Sequence, residues 1–256
     1  MMAHALPLRK PGAPLGLIPF TVPGWPSDTG YRRILARVAA HQPVSFELAL
    51  PSGGGWSFRT SGVIAEALGG AVGGLDAFLP VALQHRPNVA VLYRGLLDRT
   101  GRKRLLARLN GAVDHVMLEW EPDELSGWID DCFGAGIGLV RVMEAGAVTD
   151  AGARTLSQSA LPNTIVYLKC AARTAGVSCG VEIVRTASAR IKEVRPDLFV
   201  MAGFGIARPE QVRRLAAVRT LDAAAVGTAL LERFPDGEDV VDDYFGSLSA
   251  AARSAA

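Results

Sequence analysis

A chain of 256 residues, 49% hydrophobic and 20% charged, can bury a full core, and its length suits a single α/β barrel domain. With 27 basic and 25 acidic residues and a formal net charge of +2, it lacks the basic stripe that a nucleic-acid backbone demands, so nucleic acid is set aside as a partner. The three cysteines, Cys132, Cys170 and Cys179, are odd in number and show no CxxC spacing. No signal peptide or apolar run of membrane-spanning length accompanies them, so a reduced cytoplasm and no membrane association are expected.

The opening "MMAHALPLRKPGAP" lacks periodicity, and residues 1–14 are expected to form a flexible arm. From Leu15 onward, short apolar runs alternate with amphipathic segments, the pattern that βα units joined by crossovers produce. The strands read as "LGLIPFTV", "VSFELAL", "NVAVLY", "HVMLE", "GLVRVME", "TIVYLK", "LFVMAG" and "AAAVG". A further apolar run, "LPVAL" at Leu79 to Leu83, is read as part of a helix before His85, which leaves eight strands. Ser27 and Asp28 precede a helix whose Tyr31, Ile34, Leu35 and Val38 share one face. Pro209 opens another, since its missing N–H costs nothing in a first turn.

These elements predict a single-domain (β/α)8 TIM barrel over residues 15–246, with an Ala/Ser-rich tail over 247–256 that is expected to fray. An open doubly wound sheet competes less well. "GAGIG" at Gly134 to Gly138 precedes a strand, whereas a dinucleotide loop must follow one, and "GFGIAR" lacks the third glycine.

Two features of the barrel's expected mouth carry chemistry. Glu47 is a lone carboxylate on the second strand, where burial without a purpose or partner is rare; it reads as an acid or base, or more plainly as a cap on a nearby loop. Gly203, Gly205, Gly227 and Thr228 fall in the last two βα connections, where backbone N–H groups commonly receive a phosphate, although glycines there can also simply turn the chain. His41, His85 and His115 fall at helix ends or strand starts, and no metal constellation or cofactor motif emerges.

The segments "LIPFTVPGWPS", "FELALP", "VLYRGLLDRTG", "AVDHVMLEWEPDEL", "IVYLKCAARTAG", "AGFGIARPEQV" and "AAAVGTALL" occur in the order found in the tryptophan synthase alpha subunit, and over most of its length the chain resembles that family. The resemblance implies cleavage of indole-3-glycerol phosphate into indole and glyceraldehyde 3-phosphate. It places Glu47 on the catalytic glutamate, Tyr167 on the pocket tyrosine, and Phe20 and Phe204 on ring-contacting positions. Gly176, Gly203, Gly205, Gly227 and Thr228 fall on the phosphate cradle.

The departures matter as much. The family's loop after its glutamate carries a second catalytic aspartate, but "PSGGGWSFRTSG" contains none between Pro51 and Gly62. Glu119 stands where a small apolar residue would touch the indole ring, a costly arrangement unless the carboxylate is paired, so a more polar ligand is expected. Lys169 lies two residues beyond Tyr167 and shares its face of the strand. It reads as counter-charge to Glu47 and Glu119, as an amine for a Schiff base, or as a solvated lysine at a strand end.

The function expected is a divergent carbon–carbon lyase of the retro-aldol kind, acting on indole-3-glycerol phosphate or a related phosphorylated small molecule, in a specialised metabolic pathway. A phosphosugar isomerase-like barrel and a catalytically inactive binding or regulatory paralogue remain alternatives. An ordinary complex with a beta subunit is not expected, because "SGGGW" and "WEP" alter the loops the family uses there.

Overall fold

The computed structural model describes residues 5–50, 62–92, 98–118, 125–161, 163–170 and 180–254. The first half runs β1 (Gly16–Thr21), α1 (Asp28–Ala40), β2 (Phe46–Leu50), α2 (Gly62–Gly70), α3 (Gly74–Gln84), β3 (Asn88–Leu92), α4 (Arg99–Leu109) and β4 (His115–Leu118). The second runs α5 (Leu125–Gly134), β5 (Gly138–Glu144), α6 (Asp150–Ser159), β6 (Ile165–Lys169), α7 (Val181–Val194), β7 (Phe199–Gly203), α8 (Pro209–Ala216), β8 (Ala223–Val226), α9 (Thr228–Leu231) and α10 (Glu238–Arg253). The strands pair in parallel in chain order and β1 closes on β8, so the molecule is a (β/α)8 barrel, as the sequence pattern predicts.

Helices cover the outer faces of the strands and side chains fill the interior, which is why the strands read as continuous apolar runs rather than alternating ones. The run "LPVAL" lies in α3, where Phe78, Val81 and Ala82 are buried at helical spacing. In α1 the buried residues are Tyr31, Ile34, Leu35 and Val38, and Ser27 accepts a bond from the Gly30 N–H at 3.2 Å. The Tyr31 hydroxyl lies 3.1 Å from Thr21 Oγ1, fastening α1 to β1.

The base of the barrel is tied by two carboxylates placed alike. Asp222, just before β8, accepts the Val200 N–H at 2.8 Å and pairs with Lys192 at 2.7 Å. Asp114, just before β4, accepts the Asn88 N–H at 3.2 Å and pairs with Arg86 at 2.5 Å. Each acid therefore joins the start of its own strand to a neighbouring strand and a cation, a stabilising role expected at the N-terminal face.

Described residues near both chain ends contact the barrel. The Arg9 N–H bonds Asp222 Oδ1 at 2.9 Å, and its guanidinium reaches the carbonyls of Ala13, Val218 and Ala216 at 2.9, 3.2 and 2.8 Å. The segment after Ser247, expected to fray, continues α10 to Arg253 with Leu248, Ser249, Ala251 and Ala252 buried. Alanine is the best helix former, and α10 packs on α8 and α1. Among the described residues no single helix is long and apolar enough to cross a membrane.

Candidate active site

One cavity opens at the C-terminal ends of the strands. Phe20, Glu47, Val91, Met117, Val142, Tyr167 and Ala225 line it from the strands, and Phe204, Gly205, Gly227 and Thr228 from the connections after β7 and β8. The strand residues meet because alternate positions point inward and the parallel register aligns them: Phe20 opposite Glu47, and Val142 opposite Tyr167.

Glu47 is 3% exposed, and its Oε1 has no hydrogen-bond partner. Burial without a compensating charge disfavours the carboxylate and pushes the group up to about 8. At neutral pH it is therefore a protonated acid facing a cavity, able to donate a proton and, once ionised, to take one back.

Around β6 and β7 an aromatic wall forms. Tyr167 meets Phe204 edge to face, with centroids 5.7 Å apart and planes at 85°. Gly203 makes this possible, because a Cβ there would overlap the Tyr167 hydroxyl. The structure thus supplies a packing reason for Gly203, which is not among the residues lining the cavity.

Phe204 and Gly205 follow with φ of 68° and 80°, two successive left-handed residues, the first of a type that rarely adopts that conformation. Gln211 in α8 holds this turn. Its Nε2 donates to the Gly205 carbonyl at 2.8 Å and its Oε1 accepts the N–H groups of Ala207 and Arg208, each at 2.9 Å. The Tyr244 hydroxyl donates to the Ala207 carbonyl at 2.9 Å.

Thr228 opens α9 beside Gly227, and its Oγ1 is buried without a hydrogen-bond partner. A buried hydroxyl left unsatisfied at a cavity wall is suited to a polar ligand group. Lys169 also lines the cavity; its Nζ stands 5.0 Å from the Phe204 ring centroid and 3.7 Å from Glu144 Oε1.

The structure therefore brings Phe20, Glu47, Tyr167, Lys169, Phe204, Gly205, Gly227 and Thr228 to one cavity. Glu119 and Gly176 lie outside the described residues, as does the loop 51–61. Sequence reasoning missed Glu144 and Gln211. The second was legible as the glutamine three residues after the helix cap that reaches back to the cap N–H; the first needed the β5–β6 register, which pairs Glu144 with Lys169.

His41, His85 and His115 serve elsewhere. His41 bonds Asp242 at 2.8 Å, His85 packs against Phe46, and His115 is buried at the start of β4 with Nε2 3.0 Å from the Asn163 carbonyl. Among the described residues no group of three or more His, Cys, Asp or Glu side chains is placed to hold a metal ion.

A closed parallel barrel with a buried acid, a lysine and a glycine–threonine rim around a cavity is a (β/α)8 protein whose cavity opens at the C-terminal ends of its strands. Over 253 residues the chain is 26% identical to the tryptophan synthase alpha chain of Rhizorhabdus wittichii, a match taking in 94% of this chain and 92% of that one. It superposes on tryptophan synthase of Mycobacterium tuberculosis with a TM-score of 0.77 at 18% identity, covering 94% of each chain. On the tryptophan synthase alpha subunit of Legionella pneumophila the TM-score is 0.73 at 18% identity, covering 93% of this chain and 92% of that one. No family model matches the sequence. The resemblance to tryptophan synthase alpha subunits drawn from the quoted segments thus extends along nearly the whole chain.

Proposed function

We propose that this protein is a divergent carbon–carbon lyase of the retro-aldol kind, acting on indole-3-glycerol phosphate or a related phosphorylated small molecule in a specialised pathway. The observation that carries the reading is Glu47, a buried carboxyl raised to about 8 and facing the cavity without a partner on Oε1. Breaking a carbon–carbon bond beside a hydroxyl needs a base for that hydroxyl and an acid for the departing carbon. A carboxyl of raised pKa serves both ends. Protonated Glu47 gives its proton to the ring carbon that receives the bond's electron pair, and the conjugate base then recovers a proton as the hydroxyl carbon becomes a carbonyl. Gly205, Gly227 and Thr228, with Gly176 by resemblance, receive the phosphate, with the unsatisfied Thr228 hydroxyl as one donor, and so fix the reacting end, while Gly203 serves by making room for Tyr167.

Incubation with indole-3-glycerol phosphate tests this. Wild type is expected to release indole, and Glu47→Gln to bind with turnover reduced by about 100-fold or more. If wild type neither binds nor cleaves this or related sugar phosphates, the lyase reading fails. Binding without turnover would favour the regulatory-barrel reading, for which the absence of any aspartate between Pro51 and Gly62 speaks. We further infer that no ordinary alpha–beta complex forms; stable co-elution with a tryptophan synthase beta subunit would overturn that.

A further inference from the structure

We propose that Lys169 is the specificity-determining cation of the cavity, exchanging Glu144 for a carboxylate on the substrate, so that the substrate carries a second anionic group besides its phosphate. The proposal rests on the phosphorylated-substrate reading above and names the class of substrate it leaves open.

Of the described residues lining the cavity, only Glu47 and Lys169 bear a carboxyl or cationic group. In the closed ring of eight strands, β2 and β6 stand four apart, so the two side chains rise from facing walls. They do not neutralise each other, because burial keeps the Glu47 carboxyl protonated up to about pH 8. Lys169 is thus the basic group that the described lining offers to a ligand, and an unsubstituted indole ring has no anionic group to meet it.

The present partner of Lys169 is easily replaced. Glu144 is 57% exposed and 3.7 Å away, longer than a charge-assisted hydrogen bond of about 2.7–2.9 Å, whereas the lysine side chain is only 17% exposed. A pair of this kind is screened by water and holds weakly. Phe204, fixed in its left-handed turn by the Gln211 contacts to that loop, keeps Nζ over its ring and over the mouth.

The phosphate position is distinct from this one. Gly227 and Thr228 follow β8, where Thr228 Oγ1 is the buried unpaired hydroxyl, whereas Lys169 pairs toward β5 through Glu144. A ligand with phosphate at the β7–β8 side thus extends a second anion toward the β5–β6 side.

Calorimetric titration with glycerol 3-phosphate and 3-phosphoglycerate, which differ in a carboxylate, tests the proposal. Wild type is expected to prefer 3-phosphoglycerate by about tenfold or more. Lys169→Met should bring the ratio near one, while Lys169→Arg, which keeps the charge, should retain most of the preference. Glu144→Gln, by removing the competitor, should increase it by about 2–5-fold, an effect that a merely structural ion pair would not give. A wild-type ratio near one overturns the proposal, as does equal weakening of both ligands in Lys169→Met, which would make the lysine the phosphate's own partner. If neither ligand binds, the phosphate reading falls and this one with it. A clear wild-type preference without cleavage of indole-3-glycerol phosphate or of any carboxylated or uncarboxylated phosphate relative of it sinks the lyase reading alone.

Discussion

Glu47 trades stability for reactivity, and the trade depends on pH. The glutamate of the unfolded chain releases its proton near 4.5, whereas the folded protein holds it to about 8. The folded state binds the extra proton across that window, so the contribution to stability is fully present below about pH 4.5 and is lost as pH rises toward about 8. Glutamine cannot ionise and escapes this loss. Urea unfolding of wild type and Glu47→Gln at pH 5 and pH 9 should show the variant gaining roughly 2–4 kcal/mol on wild type between the two values. A constant difference at both pH values would mean that solvent reaches the carboxylate in the folded protein.

At the scale of elements, the turn after β7 depends on α8. Gln211 makes three hydrogen bonds to the backbone of Gly205, Ala207 and Arg208, linking the first turn of a helix to the rim of the cavity. Its loss removes bonds worth about 1 kcal/mol each and leaves Phe204 less reason to keep its left-handed backbone. Gln211→Ala should lower stability by about 1–3 kcal/mol and weaken glycerol 3-phosphate binding by about tenfold. Gln211→Glu retains the accepting oxygens but not the donor to Gly205, so it should recover part of the stability. Unchanged ligand affinity in Gln211→Ala would show that the turn holds its shape without α8.

For the whole molecule, stability and chemistry occupy opposite ends of the barrel. Asp222 gathers the Arg9 N–H, the Val200 N–H and the Lys192 ammonium at the base, whereas Glu47 and Lys169 face the cavity at the mouth. Asp222→Ala leaves Lys192, 16% exposed, without its carboxylate and the Val200 N–H without its side-chain acceptor. The expected cost is about 3–5 kcal/mol, seen as a fall in Tm of very roughly 6–20 °C, with the ligand affinity of the folded fraction retained. Equal loss of stability and affinity would mean that the two ends are mechanically coupled.

The sequence alone determined the barrel, because its evidence is local. Strands covered on both sides are unbroken apolar runs, Ser27 and Pro209 mark helix starts, and the helical spacing of Phe78, Val81 and Ala82 places "LPVAL" in a helix. It also singled out Glu47 and the glycines of the last two connections. Composition did not show that Arg9 and the Ala/Ser-rich end of α10 meet partners distant in the chain. Only the tertiary structure decided that Gly203 makes room for Tyr167 and that Glu144 lies beside Lys169. It likewise decided that Glu47 stands buried across the cavity from that lysine. These relations depend on how strands register and how the sheet closes, and a side chain's charge state follows from what closure places around it.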